Sequence, residues 1–337
     1  VTNLFQPRLL NGVYGDPGLY VRFRWERRAI LLDLGDLTTQ PPADLLKVTD
    51  IFVSHTHIDH FIGFDHLLRV VLGRDRTIRL FGPPGLIANV EGKLSGYIWN
   101  LVEGYGLVFD VHEVGTDTII SARFPCGACF KRIDLPPSSL FTGVLIDDPL
   151  FRVEAVHLDH KIPCLAFALV EPQRINIDPE RLKSLGLHTG PWLTEFKRLV
   201  RVGAPDDTVI RAPYGDETGG TFQAWLLGDL RGKIVTITRG QRLVYVTDTL
   251  YSDENRQKII ALAHDADILF CEAMYLEQDR DCAAERHHLT ARQAGLLARE
   301  ANVKELVVFH FSQRYQDGSE VILREAAEAF RGPVRSY

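Results

Sequence analysis

Four side chains able to bind a cation stand within six positions of this chain: His55, His57, Asp59 and His60, in the run Ser54-His55-Thr56-His57-Ile58-Asp59-His60. Residues two apart on an extended segment point to the same side, so His55 and His57 can converge on one ion. Asp59 and His60 follow in the turn and can serve a second. Imidazole nitrogen with carboxylate oxygen suits zinc, and manganese and iron accept the same donors. The bland alternative is a run of surface histidines. Three histidines and an aspartate gathered after a buried strand, however, carry a desolvation and charge cost that a metal removes.

Short apolar segments must position this cluster. Residues 51–53 (Ile-Phe-Val) form an apolar, β-branched run that reads as a buried strand feeding straight into it. Strands are also expected over Leu19–Phe23, 29–33, 78–81, 151–156, 243–246, 268–270 and Leu306–Phe309. Helices are expected over 64–72, broken at Gly73, and over 254–263 and 290–301, with Thr290 as N-cap. The pattern predicts an α/β fold. His160, Asp248 and His310 each lie just past an expected strand, where layered α/β proteins form their crevice. Asp248 is suited to bridging, because one carboxylate can bond two cations. Two metals about 3.5–4 Å apart can activate water and stabilise a leaving oxygen in phosphodiester cleavage.

The chain has 337 residues and a net charge of −6, with 45% hydrophobic and 24% charged residues. That balance excludes a wholly disordered chain, a collagen-like fibre and a coiled coil. The length suggests about two domains, or one large layered domain with an insertion. No apolar run approaches the ~18 residues that cross a membrane, and the first residues lack a secretory pattern. Five cysteines, few and odd in number, give no disulfide framework, so a reducing cytoplasm is expected. Cys126 and Cys129 read as ordinary loop thiols, with a structural zinc as the alternative. Cys164, Cys271 and Cys282 read as packing residues.

Residues 171–240 differ in character, with frequent Pro, Gly and charge and weak strand signals. Asp178-Pro179 is a helix start, the Gly190-Pro191 turn leads into a second helix over 192–200, and Lys183, Lys197, Arg198 and Arg201 lie on this stretch. It reads as an insertion projecting from the main body, without a separate hydrophobic core.

Residues 54–65 (SHTHIDHFIGFD), 157–167 (HLDHKIPCLAF), 245–249 (YVTDT), 288–295 (HLTARQAG) and 309–315 (FHFSQRY) together resemble the metallo-β-lactamase superfamily, and within it the ribonuclease Z branch of tRNA 3′-processing endonucleases. The resemblance implies an αββα four-layer sandwich spanning the chain as a single domain, with 171–240 inserted. It implies that His55, His57 and His160 hold one zinc, that Asp59, His60 and His310 hold the other, and that Asp248 bridges them. His157 competes with His160, which is favoured because the family's ligand follows Leu-Asp/Glu and precedes a proline-containing turn.

Asp59 and His288 are the implied catalytic residues, His288 donating a proton to the leaving 3′ oxygen or stabilising the scissile phosphate, with a helix-capping histidine as the bland alternative. Its neighbour His287 is expected to face solvent. Glu272 is a candidate to orient His288 or a ligand, Asp33 to orient a ligand imidazole, and Arg314 to hold phosphate unless a structural salt bridge claims it. Residues 185–197 resemble the flexible arm with which family members grip tRNA, placing Lys183, Gly190, Pro191, Lys197, Arg198 and Arg201 in an RNA-binding arm over about 178–201. The implied partners are precursor tRNA and a second copy in a homodimer, with no membrane and no DNA. The runner-up reading is a hydrolase of the same fold acting on another phosphodiester or ester. The chain departs from the family pattern at Asn11–Gly18, at 35–40, at Leu289 and at Thr247, all on the substrate side. None of these changes removes an implied ligand.

Overall fold

The computed structural model describes residues 3–136, 140–215 and 221–336. The chain forms two compact units, one of Val1–Leu145, Val153–Leu169 and Arg242–Tyr337, the other of Ile146–Arg152 and Val170–Gln241.

The first unit rests on two sheets. One carries β1 (Phe5–Leu9), β2 (Leu19–Phe23), β3 (Ala29–Leu32), β4 (Val48–Phe52), β5 (Thr77–Gly82), β6 (Val108–Val114), β7 (Ile119–Pro125) and β8 (Ile133–Asp134), side by side in chain order. From β3 to β6 the strands run parallel; the outer pairs are antiparallel. Parallel neighbours need crossovers, and the helices Phe64–Val71 and Leu86–Ser95 lie in them. In the first of these, Phe64, Leu67, Leu68 and Val71 fall on one helical face and are buried in a cluster with Leu31, Ile51 and Val53. All four residues of β3 are buried, as in a strand covered on both faces.

The other sheet carries β9 (Val144–Asp147), β10 (Arg152–Asp159) and β11 (Pro163–Val170). The chain then forms β12 (Gln173–Ile177), β13 (Val209–Pro213), β14 (Phe222–Leu226) and β15 (Val235–Arg239) in the second unit. It returns to this sheet as β16 (Arg242–Val246), β17 (Ile268–Glu272), β18 (Leu306–Phe309) and β19 (Val334–Arg335). The order is β19-β18-β17-β16-β11-β10-β9, with β16 to β19 parallel. The helices Asp253–Ala263, Ala291–Glu300 and Ser319–Phe330 pack on it. Thr290 caps the second of these in a reciprocal capping box with Gln293.

The two sheets meet through aromatic side chains. Phe52 of β4 stacks on Phe81 with centroids 5.2 Å apart and meets Phe167 of β11 at 5.6 Å. The Tyr245 hydroxyl of β16 donates to Asp33 Oδ2 at 3.0 Å. The layers are therefore helix, sheet, sheet, helix. Among the described residues, no helix is long and apolar enough to cross a membrane.

The second unit has two two-stranded sheets, β12 with β15 and β13 with β14, both antiparallel. It also has the helices Pro179–Ser184, Trp192–Arg201 and Leu227–Ile234. As expected, the Asp178 side chain caps the first, accepting from Glu180 N and Arg181 N. Contrary to expectation, the unit has a core of its own: Ile175, Leu182, Phe196, Ile210, Leu227, Leu230 and Ile234 are buried together. Leu227, Leu230 and Ile234 have helical spacing, but Gly228 and Gly232 between them disguise it.

Candidate metal centre

Each part of the site leaves a strand end. Beyond β4 a short bent segment carries His55 and His57, and the single helical turn Ile58–Phe61 presents Asp59 and His60. His160 follows β10, and Asp248 lies two residues past β16. His310 follows β18 in a left-handed conformation, φ 59°. The donor atoms of His55, His57, His160 and Asp248 all lie within 4.8 Å of one another, as do those of Asp59, His60 and His310. Asp248 Oδ2 is the hub, 3.4 Å from His60 Nε2, 3.5 Å from His160 Nε2 and 3.9 Å from His55 Nε2. Asp59 Oδ2 lies 3.4 Å from His60 Nε2 and 3.6 Å from His310 Nε2.

The surroundings fix which ring nitrogen faces inward. Ser54 Oγ lies 3.0 Å from His55 Nδ1, Asp33 Oδ2 accepts from His60 Nδ1 at 2.9 Å, and the His287 carbonyl accepts from His160 Nδ1 at 2.7 Å. With Nδ1 occupied, Nε2 is the nitrogen left facing the cluster in each ring, the orientation that partners behind metal-binding histidines impose. Asp33 is fully buried and also accepts from Ser54 N at 2.6 Å, Ser54 Oγ at 2.8 Å and Tyr245 Oη at 3.0 Å. These bonds hold it at φ 59°, unfavourable for a residue with a Cβ.

The charges fit a cation site. Burial drives the His55 imidazole down to about 2, with His60 adding to the effect. Burial opposes protonation of His310, yet Asp248 carries it up to about 10. His60 also stands well above its ordinary value, because Asp248 and Asp33 outweigh its burial. Burial alone would raise Asp248, but His310 and His60 hold it well below the carboxylate range. His60 Nε2 and His310 Nδ1 are buried without a hydrogen-bond partner, although His310 Nδ1 lies 2.8 Å from Asp248 Oδ1. Buried imidazole nitrogens left without partners beside ionised carboxylates are the donor set a divalent ion needs.

His288 Nδ1 lies 2.9 Å from Glu272 Oε2, and Thr249 N donates to Glu272 Oε1 at 2.8 Å. Burial works against the charge on His288, but Glu272 raises it above its ordinary value. A cavity of about 360 Å³ opens onto His57, Asp59, His160, Asp248, His288 and His310. Lys161, Arg286 and the chain's single methionine, Met274, also line it.

Other candidates lie elsewhere. His157 Nε2 bonds the Gly115 carbonyl at 3.1 Å and is outside the cluster. Arg314 pairs with Asp279 at 3.3 Å and covers the Tyr275 ring at 5.2 Å. His287, expected to face solvent, is instead the left-handed C-cap of the helix Arg280–Arg286, φ 57°. That conformation aims its carbonyl at His160, a backbone role its side-chain type does not advertise. Cys126 is buried and Cys129 is exposed, its thiol against the Trp99 carbonyl at 3.3 Å; neither falls in a metal-binding group among the described residues. In the second unit, Arg198 pairs with Glu195 at 2.6 Å, Lys183 is exposed and Lys197 is half-buried. At Gly190-Pro191 the turn bonds are Leu193 N to Gly190 O at 3.1 Å and Thr194 N to Pro191 O at 3.0 Å.

Four layers, with donors at the strand ends of both sheets, define a metal-dependent hydrolase of the metallo-β-lactamase fold. The model for the beta-lactamase superfamily domain matches residues 199–311. Ribonuclease Z of Deinococcus radiodurans is 33% identical over 305 residues, covering 89% of this chain and 87% of that protein. Ribonuclease Z of Crocosphaera subtropica is 30% identical over 301 residues, covering 86% and 78%. Human tRNase Z, short form, matches with a TM-score of 0.51 at 20% identity, over 92% of this chain and 94% of that one. The metallo-beta-lactamase fold protein YhfI from Bacillus subtilis matches at 0.54 and 16% identity, over 98% and 95%. The chain belongs to the ribonuclease Z family.

Proposed function

We propose that the protein cuts the 3′ trailer from precursor tRNA and leaves a 3′ hydroxyl on the tRNA. The observation that carries the reading is the gathering of the donor atoms of His55, His57, His160 and Asp248 and of Asp59, His60 and His310, with His57, Asp59, His160, Asp248 and His310 opening onto one cavity, in a chain of this family. His55, His57 and His160 would hold one zinc, Asp59, His60 and His310 a second, with Asp248 shared; manganese or iron suits the same donors. When bound, two such ions activate water and offset charge on the phosphate. The chain's own contribution is orientation and proton handling. Asp33, Ser54 and the His287 carbonyl hold the ligand rings. Glu272 keeps His288 charged, and His288 gives its proton to the departing 3′ oxygen.

The second unit acts as the RNA-gripping arm, through phosphate contacts of Lys183, Lys197, Arg198 and Arg201 around the Gly190-Pro191 turn. The active form is a cytoplasmic homodimer. Incubating the protein with a precursor tRNA tests the reading, beside a His57→Ala variant and a chelated control. Cleavage at the trailer junction by the unmodified protein alone is expected. Intact RNA in all three overturns it. Because Leu182 and Phe196 belong to the unit's core, the arm is tested by substitution, not deletion. Lys183→Gln with Arg198→Gln should raise KM for tRNA and flatten its salt dependence, leaving a small chromogenic phosphodiester unaffected.

A further inference from the structure

Two cations at the rim of the metal cavity take no part in the chemistry above. Lys161 and Arg286 both line it. Both are exposed, and among the described residues neither has an ion pair or side-chain hydrogen bond. Arg314, by contrast, is taken up by Asp279. Lys161 sits where β10 turns into β11, and Arg286 ends the helix Arg280–Arg286.

Backbone bonds latch the two segments together. Lys161 N donates to His287 Nδ1 at 3.1 Å, and His160 Nδ1 donates to the His287 carbonyl at 2.7 Å. Lys161 at φ 61° and His287 at φ 57° both occupy the left-handed region that glycine fills with least strain. The chain places full side chains there instead, and such strain persists only where surrounding contacts enforce it. The latch ties each cation to a working residue, Lys161 beside His160 and Arg286 two positions before His288. The cavity's own side chains include Asp59 and Asp248, which offer nothing to a further anion.

We propose that Lys161 and Arg286 form a phosphate subsite beside the metal centre, which takes the phosphodiester next to the one being cut. It rests on the ribonuclease reading and extends it. A strand substrate carries a neighbouring phosphate and a small diester does not, so the subsite selects polynucleotides without reading sequence. An ammonium and a guanidinium both suit the task, the guanidinium as a two-pronged donor.

The test is calorimetric titration of the zinc-loaded protein with a trinucleoside diphosphate and a dinucleoside monophosphate. The expected result is tighter binding of the trinucleotide. Lys161→Gln and Arg286→Gln each remove about tenfold of that advantage, equivalent to about 1.4 kcal/mol. Each also lowers the salt slope by about 0.7, the value for one single-strand phosphate contact. Lys161→Arg keeps both. Zinc content and hydrolysis of bis(p-nitrophenyl) phosphate stay as in the unmodified protein. The proposal is overturned if the double variant keeps the full advantage, or if zinc content or small-ester hydrolysis falls in parallel. Failure to cut precursor tRNA would count against the proposed function alone, because the affinity ratio reads the subsite without it.

Discussion

Replacing Glu272 by glutamine separates the proposed proton donor, His288, from the proposed metal centre. Glu272 is fully buried and divides its carboxylate between Thr249 N at 2.8 Å and His288 Nδ1 at 2.9 Å. Glutamine can keep the first bond through its carbonyl, so the backbone around Asp248 stays tied. The second bond changes sign, because an amide NH₂ now faces His288 Nδ1. A hydrogen bond to a charged partner contributes roughly 1.5–3 kcal/mol. Glu272 raises His288 above its ordinary value against the effect of burial. Without it, His288 should give up its proton at lower pH. A proton donor is active only while protonated, so the alkaline limb of kcat moves to lower pH. At a pH above both limbs the rate falls roughly 10–100-fold; below the shifted limb most of the activity returns. The assay is kcat against pH on a trailer-bearing RNA, with zinc per chain measured alongside. An unmoved alkaline limb, or a uniform loss at every pH accompanied by loss of zinc, would refute a proton-handling role.

Ser54→Ala frees both His55 Nδ1 and one side of Asp33, and should weaken metal affinity about 10–100-fold in a chelator competition; unchanged affinity contradicts the assignment. Stripping the metal should abolish cleavage reversibly. Because Asp248 raises His310 to about 10, and Asp248 with Asp33 raises His60 well above its ordinary value, returning zinc at pH 7 should release protons into a weakly buffered indicator solution, and the absence of acidification would contradict that charge arrangement. Phe52→Ala empties the contact among Phe52, Phe81 and Phe167 and should cost roughly 3–5 kcal/mol in urea unfolding. A loss under 1 kcal/mol would mean that this contact does little to join the sheets.

The gathering of candidate ligands was legible because four of them are neighbours in sequence at a strand exit. His160, Asp248 and His310 were legible because each follows a short apolar run, and the strands Leu19–Phe23 and Leu306–Phe309 have the expected bounds. β6 was unread because Asp110, His112 and Glu113 interrupt its apolar residues. β11 is apolar throughout but opens on Pro163, so it passed as part of a motif rather than a strand. The helix Leu86–Ser95 follows Gly85 and contains Gly92, both of which signal turns. The left-handed turns at Lys161 and His287 left no trace in residue type, since neither position is a glycine. Side-chain chemistry was therefore more readable than the backbone geometry that aims it.

The proposed donors reach from residue 55 on one sheet to residue 310 on the other, and no contiguous stretch carries a complete set. A fragment, a half-synthesised chain or a form with its sheets apart is therefore inert toward the transcripts around it. Cutting power arises only in the finished molecule, a built-in safeguard for a nuclease made in the midst of RNA.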